Sequence, residues 1–301
     1  MTLNWAWFIG VFIVYLAVNL YVCIKQSKNV KSIGDFALGG ITVGPVVIAF
    51  SFFATRLSAS TYLGEPGFTY AYGWPYSWIG VFNAAFWLAV ILVITRRMRI
   101  YSGALGSLTV PDFIGQRYES GFLRVWTSIA CSVFYILLMV AQYKGIVALF
   151  TTLLGIPQWP IVIVFSLIAL FYVNIGGFRS VAYTDFIQGI LMVVIAVVIF
   201  LVSFNAMGWS FAHANAELIK IDPALAAPYQ DSGLFSLRGV IFLPLYLFIS
   251  LVSNPYCTIR LMAISDVGRK SFKRFGVTLL SIGMICMLMY CVGIFGRVLF
   301  P

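Results

Sequence analysis

The chain has 301 residues, of which 62% are hydrophobic and 9% charged, and its mean hydropathy is +1.00. Soluble domains carry about 25% charged residues, so this composition excludes a soluble enzyme or binding module and indicates a polytopic membrane protein. A net charge of +10 would suit a nucleic-acid partner, but the basic residues lie mostly between apolar runs on one side of the membrane, which argues against one.

The five cysteines, Cys23, Cys131, Cys257, Cys286 and Cys291, lie in apolar segments without a Cys-x-x-Cys spacing, and His213 is the single histidine. Neither a metal site nor a disulfide framework is indicated. The first apolar run is too long for a leader and has no basic lead, so no cleavable signal is expected.

Apolar runs of about 20 residues mark spanning helices. Eight are expected, at roughly 3–24, 44–70, 75–95, 124–153, 159–175, 181–206, 238–258 and 275–298. The second, fourth and sixth exceed what a span needs, and tilt or a break accommodates them. Loop charge sets orientation. One set of connections holds Lys25, Lys28, Lys31, Arg96, Arg97, Arg99, Arg117, Arg124, Arg179, Arg260, Arg269, Lys270, Lys273 and Arg274, and the opposite set holds Lys220, Arg238 and Arg297. The N-terminus is therefore expected outside a cell membrane, plasma or inner. The outer connection at about 207–237, with Pro223 and Pro228, suggests a short surface helix, as a solvated connector or a lid. On the inner side, Pro111-Asp112 before an apolar run is a helix-start signal. Gly40-x-x-x-Gly44 suggests close helix packing.

The second run contains the stretch around which the chain is organised, Phe50 to Gly67. It carries Arg56, the hydroxyls Ser51, Thr55, Ser58, Ser60 and Thr61, and a Glu65-Pro66-Gly67 break. Charge at bilayer depth costs at least about 2.5–3.5 kcal/mol, and an interrupted helix survives there only inside protein or beside a cavity. Broken segments of this kind point to a transport site. Unwinding frees carbonyls that can replace a sodium ion's hydration shell, with Ala54 and Leu57 acting through backbone oxygens and Ser58 through its side chain or the helix end.

Arg56 lies about 18 Å into its helix, near the midplane, as a structural ion pair or as a charge in the pathway. Glu65 follows nine residues later, on the opposite face of a continuous helix, where interface contact or capping is expected. Lys144, in Ala141-Gln142-Tyr143-Lys144-Gly145, either snorkels to the interface or serves as a cation for an anionic solute or a partner for Glu65. Asp185 follows the Gly176-Gly177 turn, as an acid favoured by the helix dipole or as an ion-exit group. In Ser253-Asn254-Pro255-Tyr256, Pro255 frees a carbonyl and makes a second interruption. Asn254 and Tyr256 there bind or gate solute, unless the site is an ordinary kink with Tyr256 in the aromatic belt.

Taken together, Ala54 to Gly67, Gly176 to Gln188 and Asn254 to Ala263 resemble, in order and spacing, the sodium/solute symporter family. The resemblance implies an all-α, inverted-repeat (5+5) transporter fold with one extra N-terminal helix, working by alternating access. The chain would be a single membrane domain, 1–301: a leading helix at 3–24, the first five-helix repeat at 44–206 and an incomplete second repeat from 238. It further implies sodium binding by Ala54, Leu57, Ser58 and Asp185, and solute binding by Thr61, Gln142, Lys144, Asn254 and Tyr256. Arg56 departs from the family pattern as a pathway charge that could replace sodium, repel it or be neutralised by Asp185. Family members continue for several more helices, so the chain is expected to be a fragment truncated after about eight.

The function expected is sodium-coupled symport of a small organic solute, with a carboxylate preferred for Arg56 and Lys144. The partners implied are sodium, the solute, the bilayer and the missing C-terminal helices, with no cofactor beyond sodium and no nucleic acid. Alternatives are a solute-sensing transporter-like module, or a sodium-independent transporter in which Arg56 replaces the ion. An enzyme is not expected, because no nucleophile, base and orienting group can be assembled by spacing.

Overall fold

The computed structural model describes residues 5–28, 30–57, 60–231, 233–252 and 254–301. Every regular element among them is helical. The leading helix α1 (Trp5–Ser27) is followed by a short piece, α2 (Ile33–Leu38), whose Ser32 cap accepts from the Asp35 N–H. Next come α3 (Pro45–Arg56), α4 (Glu65–Tyr72), α5 (Trp74–Ala89), α6 (Arg96–Leu105) and α7 (Val110–Arg117). A wide turn joins α5 to α6, so that Trp74–Leu105 is one apolar rod. The start signal before α7 is real: Thr109 accepts from Asp112 N–H, and Asp112 accepts from Leu108 N–H at 3.1 Å, a reciprocal cap.

The long helix α8 (Gly121–Leu154) is capped by Ser120 and stopped by Gly155 in the left-handed region. Then α9 (Gln158–Ala206) breaks at Gly177, with φ 55° and ψ −165°. That conformation is open essentially to glycine alone, and the two limbs coincide with the fifth and sixth apolar runs, the second of them long and apolar enough to cross a membrane. The remaining helices are α10 (Phe211–Ile221), α11 (Pro223–Ala226), α12 (Leu237–Val252), α13 (Pro255–Met262), α14 (Arg269–Cys286) and α15 (Leu288–Leu299). Among the described residues all eight expected runs are therefore helical. The second is split into α3 and α4, the seventh into α12 and α13, and the eighth is divided at Met287 between α14 and α15.

The core gathers around α3. Its buried Phe52 and Phe53 meet Trp87 of α5, and Leu279, Ile282 and Met289 close the cluster from α14 and α15. The second limb of α9 lies along α3, where Phe50 meets Phe186 edge-on at 5.0 Å. At the end rich in basic loops, Arg99 donates to the Ile264 carbonyl at 2.6 Å, and Arg179 donates to Gln26 and Thr42. At the other end α10 and α11 bury Leu218 and Leu225 against Ile294, and Trp78 donates to the Pro228 carbonyl. Through these residues the 207–237 connection packs against α5 and α15, while most of its described residues stay exposed. Gly40 and Gly44 are a left-handed turn residue and the cap of α3, not a helix-packing pair. Large apolar side chains on α1, α8 and α9, such as Val11, Val133 and Val198, stay exposed, as surfaces facing hydrocarbon require.

Candidate functional site: two interrupted helices and a buried ion pair

Helix α3 ends because Leu57 is extended, with φ −81° and ψ 139°. The chain resumes in a wide turn over Ser60–Gly64 and then as α4, and the two arms differ in direction by 63°. A helix end leaves its last carbonyls without intrahelical partners, and Ala54 and Leu57 sit in that last turn. Ser58 lies outside the described residues. The Tyr62 hydroxyl donates to the Met192 carbonyl at 2.8 Å and anchors the break to α9.

One turn before the break, α3 meets the acid Asp185. Ser51 Oγ donates to Asp185 Oδ2 at 2.6 Å and Thr55 Oγ1 lies 3.4 Å from the same oxygen. Ser51 and Thr55 share a helix face because four residues are about 400° of turn. The counter-ion is Arg260: its Nη2 donates to Asp185 Oδ2 at 3.0 Å, its Nε to Ser51 Oγ at 3.0 Å and its Nη1 to the Tyr256 carbonyl at 2.8 Å. Both side chains are nearly buried, at 11% and 15% exposure. Asp185 is therefore held by Arg260, not by Arg56, and Arg260, counted above among the loop charges, belongs inside the protein. Its spacing is the available signal: Arg260 stands one turn beyond Tyr256 and Pro255, where a long side chain folds back towards the interruption.

Arg56 is turned about 100° further round α3 than Thr55. With Leu57, Thr61, Glu65, Trp87, Cys286 and Tyr290 it lines a cavity of about 40 Å³. Its Nε is buried and has no hydrogen-bond partner among the described residues. Glu65, expected on the opposite face and nearer the interface, shares this cavity, because the 63° bend voids face arithmetic based on one straight helix. Its carboxylate accepts from the Tyr76 hydroxyl at 2.8 Å, with Tyr290 and Arg56 also acting on it. Thr61 is 6% exposed at the same place.

The second interruption falls between α12 and α13. Asn254 is extended and buried, its carbonyl accepts from Cys257 and Thr258 N–H, and its side-chain amide donates to the Tyr256 hydroxyl at 3.2 Å. Ser253 lies outside the described residues. Tyr256 stacks on Phe134 of α8 and lies within electrostatic reach of Arg56 and Arg260. The structure thus gathers Ala54, Arg56, Leu57, Thr61, Asp185, Asn254 and Tyr256 around the two breaks. It does not bring Gln142 or Lys144 there. Gln142 lines a separate cavity of about 740 Å³ between α1, α8 and α9, with Asn19 and Gln188, and Lys144 is exposed on α8. Among the described residues Lys144 forms no ion pair, and Glu65 is served by Tyr76 instead. No group of three His, Cys, Asp or Glu side chains able to hold a metal occurs among the described residues.

Helices broken at membrane depth, with freed backbone and a buried acid between them, define a class: helical membrane transporters with discontinuous spans. The chain belongs to the Sodium:solute symporter family, whose model matches residues 36–301. It is 27% identical over 286 residues to the sodium/pantothenate symporter of Haemophilus influenzae, covering 94% of this chain and 58% of that protein. It is 28% identical over 276 residues to the high-affinity proline transporter PutP of Bacillus subtilis, covering 91% and 55%. A solved structure of a Na+-coupled sialic acid symporter, substrate-bound and outward-open, matches with a TM-score of 0.80 at 21% identity, over 96% of this chain and 61% of that one. The chain thus spans little more than half the length of the relatives it matches.

Proposed function

We propose that the chain is the N-terminal part of a sodium-coupled symporter for a small organic solute, working by alternating access, with its N-terminus outside. The observation that carries this is the joint at Asp185, where oxygens of the first broken helix and an arginine of the second converge on one nearly buried carboxylate. Ser51 Oγ, Thr55 Oγ1 and Asp185 Oδ2 are oxygens of the hard-donor type that sodium takes, and Ala54 and Leu57, at the end of the same helix, would add backbone carbonyls. Arg260 already holds that carboxylate, so an arriving sodium ion must displace or share it. Ion binding on one side and movement of α13 on the other are then linked through one group. In this reading α3 to α9 form the first repeat, α12 opens the second, and the remaining length of the relatives supplies the rest. The pantothenate, proline and sialic acid named for the relatives all carry a carboxylate, which supports that solute class.

The test is uptake of labelled pantothenate, proline and N-acetylneuraminate, under an inward sodium gradient, into proteoliposomes holding the full-length protein of which this chain is the N-terminal part. At least one should accumulate and should cease to do so when choline replaces sodium. Accumulation unchanged without sodium contradicts the coupling, and no uptake of any solute contradicts the transport reading.

A further inference from the structure

We propose that the cavity between Arg56 and Glu65 is the anchoring site for the solute's carboxylate, and that Glu65 is a built-in competitor for the same arginine. This deepens the transport reading and rests on it for the word solute. The binding claim itself stands on the cavity. A buried guanidinium Nε without a partner is costly, and Arg56, which carries it, lines a partly open cavity of about 40 Å³. That volume admits a water or two or a carboxylate group, but not the body of an organic acid. The body would have to extend beyond it, past Thr61. Guanidinium pairs with carboxylate in a two-pronged geometry that neutral donors cannot match. The wide turn that opens α4 adds backbone N–H groups, which favour an anion at a helix start.

Glu65 lines the same cavity, yet the described ion pairs are Arg124–Asp112, Lys220–Glu217 and Arg260–Asp185, with none between Arg56 and Glu65. The Tyr76 hydroxyl holds the Glu65 carboxylate at 2.8 Å, and Tyr290 also hydrogen-bonds to it. Glu65 thus neutralises the pocket at a distance without forming an ion pair with the arginine, whose Nε stays unpartnered among the described residues. A second carboxylate entering beside it meets like-charge repulsion, so affinity is set by how firmly the tyrosines hold Glu65 back. Removing the Glu65 charge must then tighten carboxylate binding, and freeing Glu65 from Tyr76 must weaken it.

Binding is read without transport, by the melting temperature of the purified protein in detergent with propionate, using propionamide as the uncharged counterpart and constant sodium sulfate. Propionate should raise the melting temperature and propionamide should not. Arg56→Gln should abolish the response. Glu65→Gln should lower the half-saturating propionate concentration several-fold, and Tyr76→Phe should raise it. Equal responses to acid and amide, a response retained in Arg56→Gln, or weaker binding in Glu65→Gln would overturn the proposal. If Glu65→Gln does not fold, Tyr76→Phe decides alone: a half-saturating concentration unchanged or lowered is the contrary result. Because no gradient is involved, failure here leaves sodium-driven uptake to be judged separately.

Discussion

Asp185 and Arg260 are the residues on which the two broken helices meet. Removing one member of a nearly buried ion pair leaves the other uncompensated, at a cost of about 3–5 kcal/mol. Asp185→Asn should therefore lower the melting temperature of the protein in detergent markedly. Replacing both, as Asp185→Asn with Arg260→Met, should recover much of the loss, since apolar replacement of a whole pair is often neutral. An unchanged melting temperature in Asp185→Asn would show that the pair bears no strain. Ser51 has a smaller part: it donates to the acid and accepts from Arg260. The arginine partner of the acid was hidden in the sequence for one reason. Arg260 is 75 residues from Asp185 and follows a proline break near basic loops, so charge counting assigns it to the surface.

At the scale of elements, the interruptions decide the architecture, and composition made them legible. A proline, glycines and hydroxyls inside an apolar run cannot remain a lipid-facing helix, and both interruptions fall within the expected stretches. The first lies at Leu57, however, and Glu65-Pro66-Gly67, expected as the break, sits inside the first turn of α4 without interrupting it. What the sequence could not convey is the angle. A bend of 63° brings Glu65 round to Arg56, while straight-helix geometry puts them on opposite faces. The turn in α9 is equally local. A side chain on Gly177 would need a conformation open to glycine alone, and its Cβ would lie 2.9 Å from the Phe36 carbonyl. Gly177→Ala should cost at least about 1–3 kcal/mol from backbone strain alone, seen as a lower melting temperature and lower yield in membranes. A variant as stable as the parent would mean that the limbs of α9 can fold back by another route.

For the whole molecule, the eight runs and the family were readable from hydropathy and from three motif stretches, because a bilayer leaves helices few lengths to choose from. Gln142 and Lys144 were not placed so well. Position in a run says how deep a residue lies but not which way α8 turns it, and α8 directs Gln142 to the cavity beside α1 and Lys144 outward. The central claim is that polar backbone is gathered at the α3 break to receive an ion from water. The direct measurement is the reactivity of Ala54→Cys towards a charged, water-borne thiol reagent, with the five native cysteines replaced. The account predicts modification that slows when sodium replaces choline. No modification in either salt would mean that water does not reach the break, and modification indifferent to sodium would mean that no ion is held there.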